Sequence, residues 1–207
     1  MLEAWYVICA AVRDTWDDLL TTAVVNLIWL GLTLPVVTAP PAALALFYVG
    51  NRRAHGEPTD ARDFLHAFRH SFRVGWRWGV LQLGVLFVLV GDLILTGRLG
   101  GGSIGGRLVQ GFYLAVLAVW LLLQFYTLAF LFEQEEPRLR TALRNGAVML
   151  GQNHLFSATW GVLLLALLAV GVLFFCVTMA AGGLFLALAA NHAVLNRLAA
   201  QRAAGLS

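Results

Sequence analysis

Four apolar stretches, charged only at Asp92, dominate the chain: Thr21 to Val49, Trp78 to Ile94 with its flanks, Leu108 to Phe132, and Leu155 to about Leu195. The last would be about 60 Å long as one helix, against a hydrocarbon core of about 30 Å, so it must fold back. Ala180-Ala181-Gly182-Gly183 offers the place for that turn. The pattern predicts an all-α polytopic membrane helical bundle with about five transmembrane helices, in one integral domain over residues 1–207.

Between the apolar stretches the period changes to that of amphipathic helices. Thr59 to Arg73 places Phe64, Phe68 and Phe72 at i, i+4 and i+8, with Arg62, His66, Arg69, His70 and Arg73 on other faces. Pro137 to Leu150 repeats the device: Glu135 and Glu136 precede Pro137 as a first-turn signal, and Leu139, Leu143, Ala147 and Leu150 form the stripe. Ala67-Phe68-Arg69-His70 aligns with Ala142-Leu143-Arg144-Asn145, and each segment leads into a helical pair. The expected organisation is an N-terminal segment (1–20), a proline-broken span (21–49), and two units of interfacial helix plus helical pair (59–132 and 137–198).

The break lies in Leu34-Pro35-Val36-Val37-Thr38-Ala39-Pro40-Pro41, where three prolines cannot continue a straight helix. Thr38 is placed to cap a second half-helix beginning at Pro40. Such a break aims amide donors into the membrane, where transporters bind anionic or carbonyl groups; the plainer reading is a kink satisfied by neighbouring helices. The small-residue pairs Gly75-x-x-x-Gly79 and Gly183-x-x-x-Ala187 allow close helix contact, within the chain or between copies in a homo-oligomer.

Composition strengthens the membrane reading: 60% of residues are apolar, 12% are charged, and the mean hydropathy is +0.79. All 14 basic residues are arginine. Eleven of them (Arg52, Arg53, Arg62, Arg69, Arg73, Arg77, Arg138, Arg140, Arg144, Arg197 and Arg202) fall in segments that alternate in side, which makes those segments and the C-terminus cytoplasmic. The N-terminal segment, with Arg13 against Glu3, Asp14, Asp17 and Asp18, is then expected outside. A first span made of two half-helices would instead return the N-terminus to the cytoplasm.

Polar residues inside apolar runs are the remaining candidates, since they are costly in lipid. Asp92 sits near the outer end of the second span, where a carboxylate could bind a cation, a proton or sugar hydroxyls, or simply stand at the interface. Asn26, Gln82, Gln124, Asn191 and His192 could line a polar path or tie neighbouring helices together. Gly100, Gly102 and Gly105 spell G-x-G-x-x-G by chance, after a membrane helix and without an acidic ribose partner. The seven tryptophans fall mostly near span ends, as belt anchors do. Cys9 and Cys176 belong to no metal-binding or Cys-x-x-Cys arrangement, and no disulfide, metal or cofactor is expected. No H-E-x-x-H, G-x-S-x-G or Walker lysine is present, so the chain is not expected to be an enzyme, nor to bind nucleic acid.

Asn26-Leu27-Ile28-Trp29-Leu30, Leu34-Pro35-Val36-Val37-Thr38, Pro41-Ala42-Ala43-Leu44, Asp63-Phe64, Ala67-Phe68-Arg69 and Phe72-Arg73 together resemble the signature of the YesL-like family of small bacterial integral membrane proteins. Pro40 stands where that family usually has Gly, and Ser71 where it usually has Asn. The resemblance implies the bacterial cytoplasmic membrane, and an accessory role beside ABC-type carbohydrate importers, with importer permease subunits as partners. On this reading Phe64, Phe68, Arg69, Phe72 and Arg73 are the candidate partner or lipid contacts. The rival is an autonomous small-solute transporter or channel, its ligand or gating site made by Asn26, Pro35, Thr38, Pro40 and Asp92. A membrane-organising homo-oligomer is a third expectation.

Overall fold

Prolines remove amide donors and clash with the preceding turn, so the first apolar run folds as two short helices instead of one long one. In the computed structural model these are α2 (Leu19–Thr33) and α3 (Ala39–Ala54), preceded by α1 (Leu2–Asp17). They are followed by α4 (Ala61–His70), α5 (Phe72–Leu99), α6 (Ile104–Phe132), α7 (Leu139–Gln152), α8 (His154–Leu173) and α9 (Phe175–Ala203). The structure describes residues 2–99, 103–173 and 175–203, with side chains over 3–99, 103–167 and 182–203. The described residues are all-α, without strands.

The start of α2 and the end of α3 lie together. Arg53 Nη1 donates to the Thr22 hydroxyl at 2.6 Å and Nη2 meets Asp18 Oδ2 at 3.2 Å, so the two helices form an antiparallel hairpin. At 15 residues α2 is about 22 Å long, too short for a core of about 30 Å. The expected first span is therefore a re-entrant pair. Among the described residues three helices are long and apolar enough to cross a membrane, α5, α6 and the Gly182–Ala203 part of α9, which is fewer than the five expected. The described apolar part of α8, His154–Leu167, is also short of a crossing.

The N-terminal segment is a full helix packed on α9, not a separate outer segment. Ala4, Val7, Ile8 and Ala11 form its buried face, while Trp5, Tyr6, Val12 and Trp16 stay exposed. Glu3 pairs with Arg197, and Asp14 Oδ2 with His192 Nε2 at 2.6 Å. These contacts bring α1 to the last turns of α9 at the arginine-rich end. The N-terminal acids are counter-ions of the arginine-rich end; reading them as marks of the far side missed that pairing.

Farther along, α5 and α6 form a long antiparallel hairpin. Trp78 Nε1 donates to Gln124 Oε1 at 3.0 Å, Trp120 Nε1 donates to Gln82 Oε1 at 2.7 Å, and at the far end Gly97 makes room for Gln110. In the other hairpin, α8 and α9, the Arg197 guanidinium lies 4.0 Å over the Phe156 ring, and Gln201 of α9 donates to Gln152 at the end of α7 at 3.0 Å. The long apolar run does fold back, but between α8 and α9, ahead of the expected turn: α9 is helical through residues 180–183. Gly183 serves close packing, since a Cβ there would stand 2.5 Å from Asn26 Oδ1 and 2.9 Å from the Trp29 ring. Gly100 and Gly102 lie outside the described residues, as does the Cys176 side chain; Cys9 is an exposed free thiol.

Candidate functional site

The proline break is built to seal itself. Leu34 to Thr38 form bends and a turn, in which the Thr38 amide donates to the Pro35 carbonyl at 3.0 Å. Thr38 occupies the N-cap position of α3, yet its hydroxyl turns back to the carbonyls of Leu32 and Pro35, and caps no amide of α3. Pro40 and Pro41 carry no N–H, and the Ala42 amide already donates to the Thr38 carbonyl at 3.0 Å. Ala39 is left as the sole amide of the first turn not accounted for, a poor cradle for an anion.

The same prolines receive α5. A Cβ on Gly75 would stand 2.6 Å from Pro41 Cα, and one on Gly79 2.6 Å from Pro40 Cγ. Gly75-x-x-x-Gly79 thus meets α3, and Gly183-x-x-x-Ala187 meets Asn26, Trp29 and Gly50, so both small-residue pairs are used inside the molecule. Asp92 lies on α5 thirteen residues beyond Gly79, about 20 Å from the proline contact, and is half-buried. The structure does not bring Asp92 together with Asn26, Pro35, Thr38 and Pro40.

Polar side chains in the apolar helices act as ties. Asn26 Oδ1 accepts from the Leu184 amide at 3.2 Å. Asn191 ties α9 to α3: its Nδ2 donates to the Ala187 carbonyl at 2.8 Å and the Phe47 carbonyl at 3.4 Å, while its Oδ1 accepts from Asn51 at 3.2 Å. Asn51 also donates to Glu133 at 2.5 Å, beside His55 at 3.6 Å, which adds the end of α6 to the cluster. Gln82 and Gln124 serve the tryptophans of the α5–α6 hairpin, the Gln124 amide nitrogen remaining buried without a partner.

At the arginine-rich end, α4 starts with a capping box. Asp60 accepts from the amides of Arg62 and Asp63, and Asp63 accepts from the Asp60 amide at 3.0 Å. Its apolar face is spent on the protein itself: Phe64 is 0% exposed, Ala67 is buried and Phe68 is half-buried. Phe64 is thus available to neither lipid nor partner, whereas Arg69, Phe72 and Arg73 are exposed. Burial pushes the Arg53 guanidinium below its ordinary range, opposed by Asp18 and Asp14; Arg52, hydrogen-bonded to Glu57 and beside Asp63, is held above it. Sequence reasoning missed Asn51, Glu133 and the Arg53 junction. Their only signal is polar side chains at the ends of apolar runs, which is indistinguishable from interfacial solvation.

Residues 22–93 match the model of a family described as a protein of unknown function, DUF624. The YesL-like family carries this domain, and the matched region contains α3, α4 and nearly all of α2, together with the first part of α5. No curated protein and no solved structure matches the chain.

Proposed function

We propose that this protein is a non-enzymatic accessory or scaffold of an ABC-type carbohydrate uptake system, embedded in the bacterial cytoplasmic membrane with its arginine-rich end inside. The pathway comes from the YesL-like resemblance, and orientation from the placement of arginines. The observation that carries the scaffold reading is the α5–α6 hairpin. Only 6% of the apolar window of α5 is buried, and Phe87, Ile94 and Leu95, away from its arginine-bearing end, face outward, so this part of the helix offers itself to something other than its own chain.

The transporter reading has less support, because its two halves lie about 20 Å apart along α5 and the amides at the proline break are largely spent. The test is affinity purification of the tagged protein from native membranes in mild detergent. Stoichiometric recovery of importer permease subunits is expected. Recovery of the protein alone, together with solute flux in proteoliposomes that Asp92→Asn alters, would replace this reading by autonomous transport.

A further inference from the structure

The elbow between α4 and α5 carries cations that the fold does not use. Arg62, Arg69, Arg73 and Arg77 are all exposed, and among the described residues none of them makes an ion pair. The neighbouring acids are committed elsewhere. Asp60 and Asp63 close the capping box, Asp63 also meets Arg52 at 2.9 Å, and Glu57 meets Arg52 at 2.7 Å. Arg69 lies in the last turn of α4, and Arg73 and Arg77 lie four residues apart at the start of α5; between them the Ser71 amide closes α4 on Ala67 and the Gly75 amide opens α5 on Ser71. Residues four apart share a helix face, so Arg73 and Arg77 form one column on α5, and Arg69 lies just across the elbow on α4.

Apolar groups flank these arginines, which lead into the exposed apolar side of α5. Leu65 and Phe72 are exposed among the arginines, Trp76 is half-buried, and the next exposed side chains along α5 are Val80, Leu83 and Phe87. We infer that the α4–α5 elbow binds the phosphate headgroups of anionic phospholipids through Arg69, Arg73 and Arg77, with Leu65 and Phe72 at the level of the glycerol backbone. Charge complementarity and continuity with the apolar face of α5 single out a lipid as the occupant: a headgroup here keeps its acyl chains against Val80 and Leu83. An acidic soluble protein would have to cover these residues at the membrane edge. Bidentate pairing suits arginine to phosphate. This site is independent of any importer partner.

The experiment uses the full chain in phosphatidylcholine vesicles and compares the motionally restricted fraction of spin-labelled phosphatidylglycerol with that of spin-labelled phosphatidylcholine. Wild-type protein should prefer phosphatidylglycerol by about fivefold or more at low salt. The preference should fall steeply as salt shortens the screening length from about 10 Å to about 3 Å. R69Q/R73Q/R77Q should bring it close to one, while R98Q/R107Q, with two charges removed at the opposite end of α5 and α6, should leave it intact. If the triple glutamine variant does not fold, R69K/R73K/R77K and the salt series decide, since the lysines keep the charge but lose the bidentate fork. An intermediate, salt-sensitive preference is then expected. A wild-type preference near one would overturn the inference and return the patch to an acidic protein. So would a triple glutamine variant that matches wild type, or a preference indifferent to salt.

Discussion

Single residues at helix crossings set the tolerances of this fold. Gly75 meets the backbone of Pro41, so Gly75→Ala must move two helices apart and should cost about 1–3 kcal/mol, read as a lowered midpoint of thermal unfolding in mild detergent. Gly84 on the same helix has open space around its Cβ position, and Gly84→Ala should leave the midpoint unchanged or raise it. Equal effects of the two substitutions would contradict the packing of α5 on the prolines. Arg53, whose side chain is 7% exposed, holds Thr22, Thr59 and Asp18 at once. Arg53→Gln should therefore cost about 1.5–3 kcal/mol by the same measurement. Arg62→Gln, on an exposed and unpaired group, should cost nothing measurable.

At the scale of elements, α9 is the seam of the molecule. Gly183, Ala187 and Asn191 lie four residues apart on the face that meets Asn26, Gly50 and Asn51. Asn191→Leu removes the bridge to Asn51 and the Phe47 carbonyl, and should cost about 0.6–1.7 kcal/mol, the range of hydrogen bonds between membrane helices. The helices themselves were largely legible in the sequence. The proline break, the interfacial helix with its phenylalanine stripe and the fold-back of the last apolar run all follow from period and length. The position of that fold-back was not legible, because a glycine pair that permits a turn equally permits close packing, and only the approach of Trp29 distinguishes the two. The phenylalanine stripe likewise announces an apolar face without saying what it meets. Here Phe64 meets the protein's own core, and the exposed groups of α4 and the elbow include its arginines, His66, His70, Leu65 and Phe72.

For the whole molecule, the α2–α3 hairpin and the pairing of Glu3 with Arg197 place the start of α1 and the last turns of α9 together at the arginine-rich face. Tags at the two ends should be cleaved together by protease in inside-out vesicles and protected together in spheroplasts. An N-terminal tag cleaved from outside would contradict that pairing. Charge counting set the N-terminal acids apart from the arginine-rich segments because it does not see pairing, while in the folded chain Glu3 meets Arg197, Asp14 meets His192 and Asp18 meets Arg53. The candidate ligand site was not legible either, since spacing along a sequence does not report that Asp92 and the proline break lie about 20 Å apart along α5.

The scaffold account depends on the outer face of the α5–α6 hairpin, and site-specific photocrosslinking in intact membranes tests it most directly. A photoreactive residue at Phe87, exposed on α5, should give a discrete crosslink to an importer permease subunit, while the same residue at Phe64, buried under α4, should give none. Labelling of lipid alone from Phe87, with no protein adduct, would contradict the account.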